Sequence, residues 1–225
     1  MISSKKLFLF FSILGISQVA IGQSLFLNDD MSLETRVYAG GSYLYEDAPD
    51  LTDSYYSSLR YGFNFGGDLI FFYQKIGLGF NYDYSIFSAK GFSAPSGETI
   101  DEDNSVAFYG PLLAVRSKIN RQSSVTAYFA YGRQVFDNEA VIDGVQNSLI
   151  VKKSVSKLSL VYSYKISEFS IGIGLQFFGG NEPERYTLLP LRRVSPFTPP
   201  TVTYTYRSGA TLNRLGLNIG GTYSF

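Results

Sequence analysis

Two consecutive runs, residues 59–73 and 76–86, alternate with a period of two, a pattern that β-strands with two unlike faces satisfy and helices do not. In the first run Leu59, Tyr61, Phe63, Phe65, Gly67, Leu69, Phe71 and Tyr73 share one face. Arg60, Gly62, Asn64, Gly66, Asp68, Ile70 and Phe72 share the other. In the second, Ile76, Leu78, Phe80, Tyr82, Tyr84 and Ile86 oppose Gly77, Gly79, Asn81, Asp83 and Ser85, with only a tight turn at Gln74-Lys75 between the runs. The same alternation holds at 157–166 (Leu158, Leu160, Tyr162, Tyr164, Ile166 against Lys157, Ser159, Ser163, Lys165) and at 169–177 (Phe169, Ile171, Ile173, Leu175, Phe177 against Ser170, Gly172, Gly174, Gln176). It is weaker at 33–45 and 125–133. At 106–117 it is ambiguous, because both faces are mostly apolar and Pro111 removes a ladder donor. A last run, Leu215, Leu217, Ile219, Tyr223 and Phe225 against Arg214, Gly216, Asn218, Gly220 and Thr222, makes eight strands.

The connections alternate as well. Joins near 74–75, 117–123 and 166–168 are short; those at 46–57, 87–105, 134–155 and 178–209 are long. Short turns on one side and long loops on the other predict an all-β, transmembrane antiparallel up-and-down β-barrel, with short periplasmic turns and long extracellular loops. Val202, Tyr204 and Tyr206 break the parity of the last strand, and two extra strands there would make ten. Three prolines between 196 and 200 oppose that count. A soluble lipocalin-type barrel would turn its apolar face inward, whereas here the narrow, glycine-dotted face is the polar one. A secreted β-sandwich would not alternate long and short connections. Abundant Tyr (18), Phe (19) and Gly (22) suit strands at a non-aqueous boundary.

The chain opens with Lys5-Lys6, an apolar run from Leu7 to Ile16, and Ala20 and Gly22 placed for a cut before Gln23. This is the layout of a secretory signal peptide, and the run is too short to span a bilayer. The expected organisation is a signal peptide at 1–22 and a barrel domain at 23–225, exported to the bacterial outer membrane. Removing 22 of 225 residues leaves 203, with 17 basic and 19 acidic groups. Cysteine and histidine are absent, so disulfides, thiolate metal sites and histidine general bases are excluded. Balanced charge gives no electrostatic argument for nucleic acid.

The final residues, Asn218-Ile219-Gly220-Gly221-Thr222-Tyr223-Ser224-Phe225, resemble the β-signal of bacterial outer-membrane barrels: a polar residue, a glycine two later, and aromatics third-last and last. Asn218, Gly220, Tyr223 and Phe225 fill its four places. With the alternating strands, the chain resembles the small eight-stranded barrels of the OmpA, OmpX and PorT-like outer-membrane group. That resemblance implies recognition of Tyr223 and Phe225 by the barrel assembly machinery, outer-membrane lipids and lipopolysaccharide as surroundings, and no cofactor. The chain departs from the barrels that carry a further periplasmic domain, since its last strand ends the sequence.

Tyr43, Tyr45, Tyr61 and Tyr84 are expected in an outer aromatic girdle, and Phe71, Tyr73, Tyr164, Phe169, Tyr223 and Phe225 in a periplasmic one. Glu34, Arg36, Arg60, Asp68, Asp83, Arg116, Lys157, Lys165 and Arg214 fall on the inward face. In so narrow a barrel they should interlock as a charge network that plugs the lumen. The surplus of bases would suit a small channel with weak anion preference if the lumen were open. Acidic groups gather in loop one (Glu46, Asp47, Asp50, Asp53), loop two (Glu98, Asp101, Glu102, Asp103) and loop three (Asp137, Glu139, Asp143, before Lys152 and Lys153). They lack a full calcium-loop motif, and no metal is expected. Arg192 and Arg193 in loop four are candidates to contact lipopolysaccharide phosphates, and the loops to meet a protein partner. With no histidine, the chemistry of the barrel enzymes that use one does not carry over. The expected function is a non-enzymatic outer-membrane barrel, the alternatives being a small passive channel or an accessory barrel of a secretion or assembly system.

Overall fold

The computed structural model describes residues 31–44, 61–92, 99–142, 145–180, 187–189 and 213–225. Their strands are β1 (Met31–Leu44), β2 (Tyr61–Tyr73), β3 (Ile76–Phe92), β4 (Thr99–Lys118), β5 (Ser123–Ile142), β6 (Val145–Ile166), β7 (Phe169–Gly179), β8 (Thr187–Leu189) and β9 (Arg214–Ser224). Each strand pairs antiparallel with its neighbour, β5 with β6, and β9 with both β7 and β1, so eight strands close into a ring. Because β7 lies directly against β9, the intervening segment adds no strand to the wall. The three-residue β8 pairs instead with Ser148–Ile150 of β6, beyond the ring. Residues 1–22, expected from the sequence to be a signal peptide, lie outside the described residues, as do Val202, Tyr204 and Tyr206.

The register sets the dimensions. Following hydrogen-bonded partners from Met31 through Tyr73, Ile76, Val115, Ala127, Leu160, Leu175 and Leu217 returns to β1 at Gly41, ten residues from the start. That stagger tilts eight strands by roughly 40° and leaves a bore that side chains alone can fill. Side-chain parity follows the sequence pattern. Val37, Leu69, Leu78, Leu113, Phe129, Leu160, Ile173 and Leu217, one from each wall strand, are exposed outward, while Arg36, Asp68, Asp83 and Lys157 are buried inside. The ambiguous β4 turns Phe108, Leu112 and Ala114 inward as part of an apolar cluster, so both its faces are apolar for different reasons.

Tight turns gather at one end. Gln74 and Ser167 take positive φ (53° and 63°), as the first central residue of a mirror-image hairpin turn requires. At the β4–β5 turn the Asn120 side chain accepts from the Gln122 and Ser123 amides at 2.9 and 2.7 Å. At the opposite end the expected long loops at 87–105 and 134–155 are mostly strand. β3 and β4 stay paired to Phe92–Thr99 and β5 and β6 to Ile142–Val145, so a sheet projects from one side of the ring. The hairpin ladder satisfies backbone groups whatever the side chains are, and past the apolar belt hydropathy stops reporting the strand.

At the β1–β9 seam the backbones nearly touch. A Cβ added at inward Gly40 would meet the Leu217 carbonyl oxygen at 1.9 Å, whereas one at outward Gly41 would meet nothing within 4 Å. Gly40→Val should therefore cost about 3 kcal/mol or more and prevent closure, while Gly41→Val should fold. Migration of unheated samples on a denaturing gel separates the outcomes, and a folded, heat-shifted Gly40→Val would refute the seam geometry.

Candidate functional site

The inward faces of β1, β2, β3, β4, β6 and β9 bring the charged residues together in tiers. Nearest the tight turns, Arg116 forks Glu34 through Nη1 and Nη2 at 2.6 and 2.5 Å and donates from Nε to Thr126 Oγ1 at 3.2 Å. Its guanidinium lies 4.0 Å over the Phe72 ring. In the next tier Arg36 Nε meets Asp68 Oδ2 at 2.5 Å, and the Arg36 guanidinium sits 4.1 Å over Tyr128 and 4.8 Å over Tyr38. The Asn81 amide donates to Asp68 and, at 3.1 Å, to the Tyr38 hydroxyl, which joins this tier to the third.

Asp83 organises the third tier. Its Oδ2 lies 3.3 Å from Lys157 Nζ and accepts from Tyr38 Oη at 3.0 Å and Gln176 Nε2 at 3.3 Å; its Oδ1 lies 2.9 Å from Arg214 Nη1. Lys157 also donates to Tyr38 Oη at 2.6 Å and Asn81 Oδ1 at 3.1 Å. Arg214 donates to Ser85 and lies 3.6 Å over Phe178, which packs edge-on against Phe108. Asp83 and Arg214 are fully buried, so each charge needs its opposite beside it, although Arg214 Nε and Nη2 make no hydrogen bond. Above it Leu44, Phe87 and Val106, with Phe136 against them, form an apolar layer. Beside the tiers a cavity of about 20 Å³, lined in part by Arg36, Tyr38, Gln176, Asn218 and Gly220, has room for about one water.

Seven of the nine charged residues read from the sequence thus meet inside the ring. Arg60 lies outside the described residues. Lys165 is a correction: its parity is inward, but it sits at the turn end, exposed and apart from the buried groups. Sequence reasoning missed Tyr38, Tyr128, Gln176 and Phe178 as partners; inward parity was their only signal. Asp68 and Asp83 do not face each other as a carboxylate dyad, since each is held by its own cations. Among the described residues no group of three or more acidic, histidine or cysteine side chains is placed to hold a metal. Asp101, Glu102, Asp103, Asp137 and Glu139 lie on the projecting strands β4 and β5 rather than in loops, and Lys153 is buried while Lys152 is exposed.

On the outer surface Tyr43 and Tyr61 rings are 5.2 Å apart away from the tight turns, and Tyr84 lies 5.3 Å from Phe65. Tyr109 and Tyr131 are exposed there too, unforeseen. Tyr73 and Tyr164 are exposed at the turn end, where Tyr164 donates to Gln122 at 2.9 Å. Tyr45, Arg192 and Arg193 lie outside the described residues. Asn218 points inward, and a Cβ at Gly220 would meet the Val37 carbonyl at 2.5 Å. Tyr223 donates to Glu168 at 2.9 Å and packs edge-on against Phe225 at 4.7 Å.

No protein-family model and no curated protein sequence matches the chain. Among solved structures it is similar to a major outer membrane protein from Thermus thermophilus, at 12% identity and a TM-score of 0.50, over 87% of this chain and 99% of that one. It is also similar to Neisserial surface protein A, at 12% identity and a TM-score of 0.46 over 88% and 98% of the two chains. A third is Ail, the attachment invasion locus protein of Yersinia pestis, at 14% and 0.40 over 88% and 100%. At such identities the likeness to the Thermus protein is one of fold: a small closed β-barrel.

Asp83→Asn strips the carboxylate from two buried cations and should lower unfolding free energy by about 3–5 kcal/mol, read by urea titration of the refolded barrel. A loss below about 1 kcal/mol would mean that Lys157 and Arg214 do not depend on Asp83.

Proposed function

We propose that this chain is an integral outer-membrane β-barrel without catalytic activity, its lumen closed by its own side chains and its projecting sheet offered as an interaction surface. The carrying observation is the outer surface itself. Every wall strand exposes large apolar side chains outward, while Glu34, Arg36, Asp68, Asp83, Lys157 and Arg214 are buried inside. A soluble protein rarely shows an apolar surface of that extent, and hydrocarbon accepts only a ring whose backbone groups are all paired. The tight turns face the periplasm, and the projecting β3–β6 sheet faces outward from the cell. The exposed tyrosines at the two ends mark the interfaces, where a ring meets hydrocarbon and a hydroxyl meets headgroups.

The closed lumen is supported by the three tiers of paired charge and the apolar layer of Leu44, Phe87 and Val106 above them. The absence of histidine and the engagement of Asp68 and Asp83 by cations support a non-catalytic reading. Asn218, Gly220, Tyr223 and Phe225 serve as the assembly signal, and Tyr223 and Phe225, side by side on the outer surface, are available to the barrel assembly machinery.

Two measurements test this. Ile173→Arg, midway along β7, should cost roughly 2–4 kcal/mol on folding into lipid vesicles, against at most about 1 kcal/mol for Phe169→Arg at the rim. Equal costs would count against a membrane-spanning wall. In planar bilayers the wild-type chain should give no discrete openings, and steady single-channel steps would sink the closed lumen in favour of a channel.

A further inference from the structure

On the outside of β5 and β6 the surface changes chemistry just beyond the tyrosines. Tyr131 is exposed, and two residues on, on the same face, Arg133 is exposed as well. The register sets Tyr131 opposite Ser156, Arg133 opposite Ser154 and Val135 opposite Lys152. Arg133 and Lys152 are therefore diagonal neighbours on one face, about 7–8 Å apart at Cα, with the exposed Ser154 beside them. Tyr109 of β4 flanks Arg133 on its other side. Neither cation makes an ion pair among the described residues. Along the outer faces of the described strands they are the two cations whose side chains are placed, whereas adjacent Lys153 turns inward and is buried. On the same two strands, toward the tight turns, Phe129 faces Leu158 and Ala127 faces Leu160, an exposed apolar track that leads up to the basic pair.

We propose that Arg133, Lys152 and Ser154 bind the phosphate of an outer-leaflet lipid headgroup whose acyl chains lie along Phe129, Leu158 and Leu160. The proposal rests on the membrane reading above. An outward cation buried in hydrocarbon would be costly, but at the tyrosine level its charge reaches the headgroups while its stem stays on the apolar wall. A guanidinium presents a planar fork that matches phosphate oxygens, an ammonium adds a point charge, and the serine hydroxyl adds a donor. The site is open to the side and has no wall to hold a free ion. Its affinity depends on the adjoining apolar track, which selects a lipid over inorganic phosphate.

The test uses the refolded barrel in phosphatidylcholine nanodiscs doped with bisphosphorylated lipid A, with bound lipid counted by native mass spectrometry after release. The wild-type barrel should retain lipid A, and the double variant Arg133→Gln, Lys152→Gln should bind it about thirtyfold more weakly. Lipid A stripped of its phosphates should bind the wild type as weakly as lipid A binds the double variant. Arg121→Gln, Lys165→Gln, exposed at the other end, should bind like wild type. Heat-shifted gel migration verifies that each variant is folded. Equal retention by wild type and the Arg133, Lys152 variant would overturn the proposal, as would indifference to the lipid phosphates or displacement by inorganic phosphate. Failure of the membrane reading is a separate result: the wild-type chain would then show no heat shift and would not enter the discs.

Discussion

The wall depends on one seam. β1 carries β2 on one edge and β9 on the other, and only the second pairing, between residues from opposite ends of the chain, removes the last free edges. An amide or carbonyl kept from water and left unpaired costs free energy, and closing the ring leaves none of the wall's edges unpaired. At the seam, as at Gly79 and Gly132 elsewhere in the wall, glycine lets the neighbouring backbone come close. Gly40 faces Asn218 and Gly220 faces Tyr38, and a side chain on either glycine would strike the opposite strand. The register adopted there also completes the ten-residue stagger, which fixes strand tilt and bore.

The bore in turn decides how the charges behave. Seven ionised side chains inside a narrow ring have little water to share, so each must find counter-charge or donors within reach. Asp83 takes Lys157 and Arg214 together, and Glu34 takes the whole fork of Arg116. Aromatic faces supply the rest, with Phe72, Tyr128 and Phe178 each lying under a guanidinium. Size is shared unevenly around the ring. β2 and β4 turn Ile70, Phe72, Phe108 and Leu112 inward, while β7 and β9 turn in Gly172, Gly174, Gly216 and Gly220, and the small cavity lies on the glycine side.

Strand parity was legible because an apolar outer face and a polar inner face impose opposite demands on successive residues. Leu69 next to Asp68, and Leu158 next to Lys157, announce the two faces without any tertiary information. The same logic failed where those demands lapse. Residues 87–105 and 134–155 read as loops because beyond the apolar belt the sequence no longer alternates apolar with polar residues, so the contrast between faces is lost. It also failed to separate depth from direction: Lys165 shares the inward parity of Lys157 but sits at the mouth, where water replaces protein partners. Tyr38 was overlooked because an aromatic on the inner face of an otherwise polar run looks like an exception, although its hydroxyl links Asn81, Asp83 and Lys157.

The amino-acid sequence by itself determined the strand class, the strand number and which residue of each pair turns inward, since these follow from local periodicity and the spacing of turns. Only the tertiary structure decided which charge meets which, because Glu34 and Arg116, or Lys157 and Asp83, are brought together by a stagger accumulated around the whole ring. It likewise decided that two apparent loops form one projecting sheet, and that Arg133 and Lys152 become neighbours. Those outcomes depend on register between strands, which side-chain alternation within a single strand does not encode.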